Sequence, residues 1–146
     1  MTPKEAGGAL FAGLEPLDTS DGASTEACWY TRRIDGMSSW INYMVQDDKI
    51  VRIDVHPIWA ETGVRFGPPV ATELGITIDS SERSIIEKYG SLLRIGPNPY
   101  AEETGHYLEV VSPDKKFGIL FETTDGKIDN FRAGTLEAIR ASEGCS

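Results

Sequence analysis

The sequence has no long apolar run and no excess of positive charge, and each absence excludes a class of function. No run approaches the roughly eighteen apolar residues that a membrane-spanning helix needs. Lysine and arginine number 14 against 23 acidic residues, so the formal net charge is -9. A field of that sign repels phosphate backbones and anionic lipid. We therefore expect no nucleic-acid partner and no membrane insertion, whereas a cationic protein partner would be attracted.

Motifs of catalysis and cofactor binding are also missing. The sequence contains no G-x-S-x-G elbow, no P-loop, no dinucleotide fingerprint and no EF-hand spacing. Its two histidines, His56 and His106, have no further ligands at the spacing of a metal site. We predict no cofactor and no metal, and we favour a non-catalytic protein. The alternative is a small-molecule site or a small enzyme that uses His56 or His106 with a nearby carboxylate.

Cysteine is scarce, with one residue at position 28 and one at position 145. This spacing does not fit a zinc site or a redox C-x-x-C motif, so we predict a disulfide between Cys28 and Cys145. The bridge would close a loop of 117 residues and remove about 4 to 5 kcal/mol of unfolded-state freedom. Because disulfides persist in oxidising compartments, we expect a periplasmic or secreted protein whose signal peptide is absent from this sequence. The alternative is a cytosolic protein with two unrelated buried thiols.

Alternating apolar and polar residues predict β-strands. In residues 49–55, branched apolar side chains alternate with charged ones at the period-two spacing of a half-buried strand. Similar patterns predict strands at 28–33, 40–46, 106–111, 117–123 and 127–133. Tight turns are predicted between them at Asp35-Gly36, Asp47-Asp48, Pro113-Asp114 and Asp125-Gly126.

The two sets of three strands superpose without gaps at an offset of 78 residues, the difference between positions 106 and 28. Strand and turn signals arrive in the same order in both halves, as in an internal repeat. We predict an α+β fold in which two pseudo-repeated three-stranded meanders form an antiparallel sheet, with one or two short helices packed on it. We expect residues 1–146 to form a single domain, consisting of pseudo-repeat 1 (about 2–56), a linker (57–73), pseudo-repeat 2 (about 74–134) and a tail (135–146).

The strongest helix signal precedes the second meander. Asp79 can cap a helix with Glu82 three residues later, an apolar stripe follows, and Gly90 can end the helix. Weaker patterns predict a short strand at 74–78, a first helix near 2–12 with proline in its first turn, and either a last strand or one helical turn beyond 134.

Aromatic residues in two irregular loops are candidate binding residues. The linker contains Trp59, Arg65 and Phe66, and the loop at 96–105 contains Tyr100. These residue types often anchor protein interfaces. The alternative is that they fasten the linker to the core. The polar segment 18–22 is interpreted as a turn-rich loop.

Three segments carry a family resemblance: the stretch from Gly75-Ile76-Thr77-Ile78-Asp79 to Tyr89-Gly90, the hairpin at 116–134, and the closing Glu143-Gly144-Cys145. Over roughly its last half, the chain resembles a group of small exported bacterial proteins of uncharacterised function. It is also loosely similar to the tandem repeats of β-lactamase inhibitory protein. The resemblance implies export and an interaction role, without a partner or binding residues. With the acidity and the loop aromatics, it favours a non-catalytic extracytoplasmic binding module, for example an inhibitor of a cationic envelope hydrolase such as a lysozyme.

Overall fold

A computed structural model describes residues 1–10, 13–17, 27–34, 40–67, 69–101 and 103–145. The described helices are α1 (Pro3–Ala9), α2 (Glu82–Tyr89) and α3 (Leu136–Arg140), with a 3-10 turn at Gly90–Leu92. The described strands are β1 (Leu14–Pro16), β2 (Cys28–Arg33), β3 (Ile41–Gln46), β4 (Lys49–Val55), β5 (Ile58–Trp59), β6 (Arg65–Phe66), β7 (Leu93–Pro97), β8 (His106–Val111), β9 (Phe117–Thr124) and β10 (Lys127–Thr135).

Eight of these strands form one antiparallel sheet in the order β1-β2-β3-β4-β10-β9-β8-β7, and β5 pairs with β6 in a separate small hairpin. The predicted α+β class is confirmed. Among the described residues there are three short helices where one or two were predicted. No described helix has both the length and the apolar character that crossing a membrane requires.

All six predicted strands are present, and three of them (28–33, 49–55 and 106–111) have the predicted bounds. Each half also has a fourth strand at the sheet edge, β1 or β7, which was not predicted. Both edge strands contain proline, which lacks a donor for the ladder and weakens the sequence signal. Positive φ angles at Asp47, Asp48, Asp125 and Gly126 confirm two tight hairpin turns. The predicted turn at Asp35-Gly36 and the loop 18–22 lie outside the described residues.

The two halves meet at the pairing of β4 with β10. Shifting the numbers of β2 by 78 gives 106–111, the bounds of β8. In the central pairing Asp54 lies opposite Arg132, and these two positions are themselves 78 apart. An approximate two-fold axis therefore passes between Asp54 and Arg132.

One face of the sheet carries the main core. Val55, Phe131, Phe121 and Leu108 are cross-strand neighbours on β4, β10, β9 and β8, and all are buried. Helix α2 covers them with Ile85, which is fully buried. Burial of apolar area at about 25 cal/mol per Å² makes such a face the main source of stability.

The predicted short strand at 74–78 is wrong. Ile76 and Ile78 are buried in the main core, which explains the alternating pattern. The backbone instead turns at Gly75, where φ is 72°, and the Gly75 N–H donates to the Thr72 carbonyl. The isoleucine side chains of this segment therefore fill the core, while its backbone forms short-range turn hydrogen bonds and not a strand ladder.

The cap predicted for α2 is also wrong. Ser81 is the N-cap, and its hydroxyl accepts a hydrogen bond from the Ser84 N–H. Asp79 lies two residues earlier in the left-handed region, with φ of 65°, and its carboxylate pairs with Arg65 instead. The predicted end at Gly90 is confirmed.

The other two helical predictions fall near the chain ends. Helix α1 begins with a complete capping box between Thr2 and Glu5, as the start signal near residue 2 predicts. Beyond residue 134 the two alternatives were a strand and a helical turn. The structure has a short helix there, α3, capped by Thr135.

Helix α3 and the rest of the tail, residues 141–145, cover part of the second face of the sheet. The disulfide between Cys28 and Cys145 is confirmed, with Cα atoms 5.4 Å apart. It packs with Met44 and Ala138 in a small second core. The tail is thus fastened to β2, the first strand of the predicted meander.

Because the two halves approach closely at Gly134, an alanine there should lower the stability of the fold, whereas an alanine at an uncrowded glycine should not. A Cβ at Gly134 would overlap the Val51 carbonyl and lie 2.8 Å from the Arg52 Cα. We expect Gly134→Ala to lower the free energy of unfolding by about 1 to 3 kcal/mol through overpacking. Urea denaturation would measure the loss.

Gly8→Ala, in α1, is the matched control, because nothing lies within 4 Å of the added Cβ. It should raise the free energy of unfolding by about 0.5 kcal/mol, since alanine loses less entropy in a helix. A Gly134→Ala protein as stable as wild type would contradict the close β4–β10 approach.

Candidate functional site

A polar cleft of about 380 Å³ lies on the second face of the sheet, beside the tail. Cross-strand neighbours share a face, and here Asn42, Asp54 and Arg132 lie side by side on β3, β4 and β10. His56, which follows β4, and Glu122, on β9, complete the central part of the wall. Both halves of the chain therefore contribute to one site across the approximate two-fold axis.

Arg52 connects the cleft to the tail. Its Nε donates to Asp54 at 3.0 Å, and its Nη1 donates to the carbonyls of Ala138 and Ala141, each at 2.8 Å. Its Nη2 donates to the Tyr30 hydroxyl at 2.6 Å. Each of its three nitrogens therefore donates at least one hydrogen bond, and the side chain is only 4% exposed. Arg52 positions α3 and the tail against the sheet.

Tyr30 and Asp54 are the partners that keep Arg52 in place. The Asp54 side chain is buried with Arg52, so each charge is compensated by the other. Burial raises the pKa of Tyr30 despite the nearby Arg52, which keeps the phenol neutral. This corner of the cleft is therefore a rigid, satisfied network.

Arg132 is held differently. Its Nη2 lies 3.1 Å from Glu122 Oε1, and the guanidinium lies 5.9 Å from the centre of the Tyr107 ring. The Glu122 contact is an ion pair by distance but is not aligned as a hydrogen bond, and Nε and Nη2 of Arg132 are buried without a hydrogen bond to any described residue. The other oxygen of Glu122 accepts from Asn130 Nδ2 at 3.2 Å. Arg132 therefore keeps two donors, covered within the cleft wall, that have no aligned acceptor among the described residues.

His56 is half-buried in the cleft wall. Its Nε2 lies 3.4 Å from Asn42 Nδ2, and its backbone N–H donates to the Trp40 carbonyl. Burial lowers the pKa of His56, outweighing the opposite effect of the Asp54 and Glu122 carboxylates. The imidazole is therefore biased toward its neutral form.

His106 lies outside the cleft. Its Nδ1 is 2.8 Å from Glu82 Oε1, and Glu82 also accepts a hydrogen bond from Thr123. These contacts join the first turn of α2 to the sheet. Of the two histidines considered for a small-molecule site, only His56 lines the cleft. Within the described ranges no three His, Cys, Asp or Glu side chains are placed to share a metal ion.

The candidate residues in the loops form two separate groups. Trp59 and Phe66, on the β5–β6 hairpin, are 65% and 51% exposed. Arg65, between them in the hairpin, pairs with Asp79 and Asp129 and so fastens the hairpin to the start of β10. Tyr100, on the loop after β7, is 64% exposed, and its hydroxyl lies 3.4 Å from Ser142 Oγ. Tyr100 thus contacts the tail, whereas the hairpin aromatics are open to solvent.

The charged cleft residues were missed at the sequence level. Arg52 and Asp54 occupy the polar positions of an alternating strand, which indicates a solvated face. The signal that could have found them is the internal repeat. The 78-residue offset places Asp54 and Arg132 at equivalent positions, and a symmetric pairing of the two halves would bring these two charges together. Sequence alone did not predict that the tail would cover part of this face.

A second groove, of about 490 Å³, lies on the opposite face between α1 and the β4–β10 pair. Its walls include Leu10, Ile53 and Phe117 and are mainly hydrocarbon. Functional sites more often contain titratable groups with shifted pKa values, as the polar cleft does. The polar cleft is therefore the candidate site.

The burial of His56 predicts a dependence of stability on pH. Its folded pKa lies below the ordinary value of 6.5, so the unfolded chain binds the proton first as the pH falls. This contribution to stability is complete above pH 6.5 and is lost as the pH falls through the folded pKa. We expect His56→Gln to lose less free energy of unfolding than wild type between about pH 7.5 and pH 5.

Urea denaturation across this range would test it, with His106→Gln as the control for removing a histidine. NMR titration of the His56 ring should give a midpoint below 6.5. An equal pH-dependent loss in wild type and His56→Gln would show that the ring is not protected by burial.

The resemblance to small exported bacterial proteins and to β-lactamase inhibitory protein stays a prediction. In the structure, the Glu143-Gly144-Cys145 ending lies next to β2, with Gly144 against the Tyr30 side chain and Cys145 in the disulfide. No family model, curated protein or solved structure matches the chain.

Proposed function

We propose that this chain is a non-catalytic extracytoplasmic binding protein whose cleft around His56 captures a small polar ligand. The observation that supports it is the convergence of ionised side chains from both halves in one cavity. Arg52, Asp54 and Arg132 are each less than a tenth exposed, although burying charge is costly unless it is compensated. The volume of about 380 Å³ falls within the usual range for small-ligand pockets.

A binding role fits the cleft better than catalysis. Nucleophilic catalysis needs a nucleophile hydrogen-bonded to a base. Among the described residues, no hydrogen bond in the cleft joins a serine, cysteine or lysine to such a base, and His56 is paired with the amide of Asn42. The Arg52–Asp54 pair is fully engaged in holding the tail. The cleft offers preformed polar groups that orient a ligand.

The proposed location outside the cytoplasm is supported by the disulfide. Cys28 and Cys145 are bonded, and no described cysteine is free. Structural disulfides of this kind form and persist in oxidising compartments. Immunoblotting of cell fractions would test the location, and recovery of reduced protein from the cytoplasm alone would contradict it.

The ligand site can be tested by thermal-shift screening with polar metabolites. A ligand at a hundred times its Kd should stabilise the fold by about 2.7 kcal/mol. We expect His56→Phe to abolish this stabilisation, because the larger ring fills the cleft. His106→Phe, outside the cleft, should respond to the ligand as wild type does. Equal responses of the two variants would exclude the cleft as the site.

A second candidate function is inhibition of a cationic envelope hydrolase, and the exposed hairpin supports it. Trp59 and Phe66 present aromatic surface beside Val64, which is 51% exposed. Buried aromatic anchors contribute much of the energy of protein interfaces. The net charge of -9 would attract a cationic enzyme.

This second candidate predicts a salt-sensitive inhibition of lysozyme. The double variant Trp59→Ala/Phe66→Ala should raise the inhibition constant by about tenfold or more. Leu92→Ala, another exposed apolar side chain away from the hairpin, is the matched control. A lysozyme assay with purified protein in excess would measure both. Undiminished lysozyme activity with the wild-type protein would rule this enzyme out as the target.

A further inference from the structure

Arg132 has hydrogen-bonding capacity that the described protein leaves unused. Its side chain is 7% exposed and lines the cleft. Nε and Nη2 have no hydrogen-bond partner among the described residues. These two nitrogens share one edge of the guanidinium, and that edge matches the two oxygens of a carboxylate. Buried donors of a charged group are normally paired, so their state here calls for a partner.

Arg52 provides an internal comparison within the same cleft. It lies two residues from Asp54 on β4, whereas Arg132 lies directly opposite Asp54 on β10. All three nitrogens of Arg52 donate hydrogen bonds to protein groups. Arg132 is about equally buried, but its contacts are the misaligned ion pair with Glu122 and the Tyr107 ring, 5.9 Å from the guanidinium. The hydrogen bonds of Arg52 are therefore used to hold the end of the chain against the sheet, whereas two donors of Arg132 have no acceptor among the described residues.

Glu122 determines which ligands fit. Its Oε1 lies 3.1 Å from Arg132 Nη2 and balances that charge, and its other oxygen accepts a hydrogen bond from Asn130. A carboxylate that takes the edge of Arg132 would leave the Glu122 charge without its partner. A cationic group on the same ligand would restore that balance, because a buried charge needs compensation.

The charge of the whole protein favours the same conclusion. With a net charge of -9 the chain repels a simple anion, although the cleft itself has two arginines balanced by Asp54 and Glu122. A ligand with no net charge avoids the repulsion and still offers a carboxylate. The cavity volume equals that of on the order of ten water molecules, which is enough for a small amino acid.

We propose that the cleft binds a small zwitterion of the amino-acid type, whose carboxylate displaces Glu122 from the covered Nε/Nη2 edge of Arg132 and whose ammonium group pairs with the displaced Glu122 carboxylate. This assignment rests on the proposed function and specifies the class of ligand. Asn42, Asn130 and His56, all in the cleft wall, provide neutral polar groups around it.

The test is an NMR titration of ¹⁵N-labelled protein with four probes: glycine, L-alanine, sodium acetate and glycine methyl ester. The readout is the Nε–Hε signal of Arg132, identified by its loss in Arg132→Lys. Glycine and alanine should shift this signal with millimolar affinity. Acetate lacks the ammonium group and the ester lacks the carboxylate, so each should bind about tenfold more weakly or not at all.

Two variants separate binding from folding. Arg132→Lys lacks the Nε–Hε signal, so its glycine binding is followed by the backbone amide signals of the cleft residues Asn42 and Asn130. Binding should weaken by about tenfold or more, because lysine cannot offer the two-donor edge. Arg83→Lys, on the exposed surface of α2, is the matched control and should bind glycine as wild type does. Glu122→Gln keeps the shape of the side chain but removes its charge. It should weaken glycine binding and strengthen acetate binding, an opposite pair of effects that loss of stability cannot produce.

Three results would overturn the inference: no shift of the Arg132 signal with glycine or alanine, equal affinity for acetate and glycine, or a Glu122→Gln protein that weakens both probes alike. The proposed function fails separately. If another polar compound from the thermal-shift screen binds in a His56-dependent manner, the cleft is a ligand site and only the zwitterion assignment is wrong. If no compound binds, both are wrong.

Discussion

The antiparallel pairing of β4 with β10 is the constraint on which the rest of the structure depends. It is the one ladder of the eight-stranded sheet that joins the two halves. On one face it aligns Val55 with Phe131, so the main core runs across the boundary between the halves. On the other face it aligns Asp54 with Arg132, so charges from both halves share one cleft. Core and candidate site are thus two sides of the same pairing.

The second face of the sheet shows how a fold can bury charge at an acceptable cost. Buried ions are tolerated when hydrogen bonds and opposite charges surround them. Arg52 meets this condition through Asp54, Tyr30 and the end of α3, and in doing so it fixes the tail that the disulfide also holds. The charge of Arg132 is compensated by Glu122, but its Nε and Nη2 have no hydrogen-bond partner among the described residues. The proposed ligand site depends on this asymmetry, because groups satisfied internally have little left for a ligand.

Local patterns predicted most of the elements, and the errors have physical causes. The six longest strands follow from alternation, and their turns follow from Asp-Asp and Asp-Gly pairs that accept positive φ. The segment 74–78 alternates as a strand does, but its isoleucines fill the core from a turn. Asp79 has the chemistry of a helix cap, but its carboxylate pairs with Arg65 from a distant hairpin. In each case a tertiary contact overrode a local preference.

The sequence by itself determined the strand pattern, the offset between the two halves and the net negative charge, because each depends on composition or on neighbours along the chain. It favoured the Cys28–Cys145 disulfide, but only the fold brings these two residues together across 117 positions. Only the tertiary structure decided which polar residues form the candidate site. Arg52 meets Ala138 and Asp54 meets Arg132 across intervals of about eighty residues, and alternation cannot show whether a polar face is open or covered. The cleft exists because α3 and the tail fold back over one end of that face, and no local signal encodes the contact.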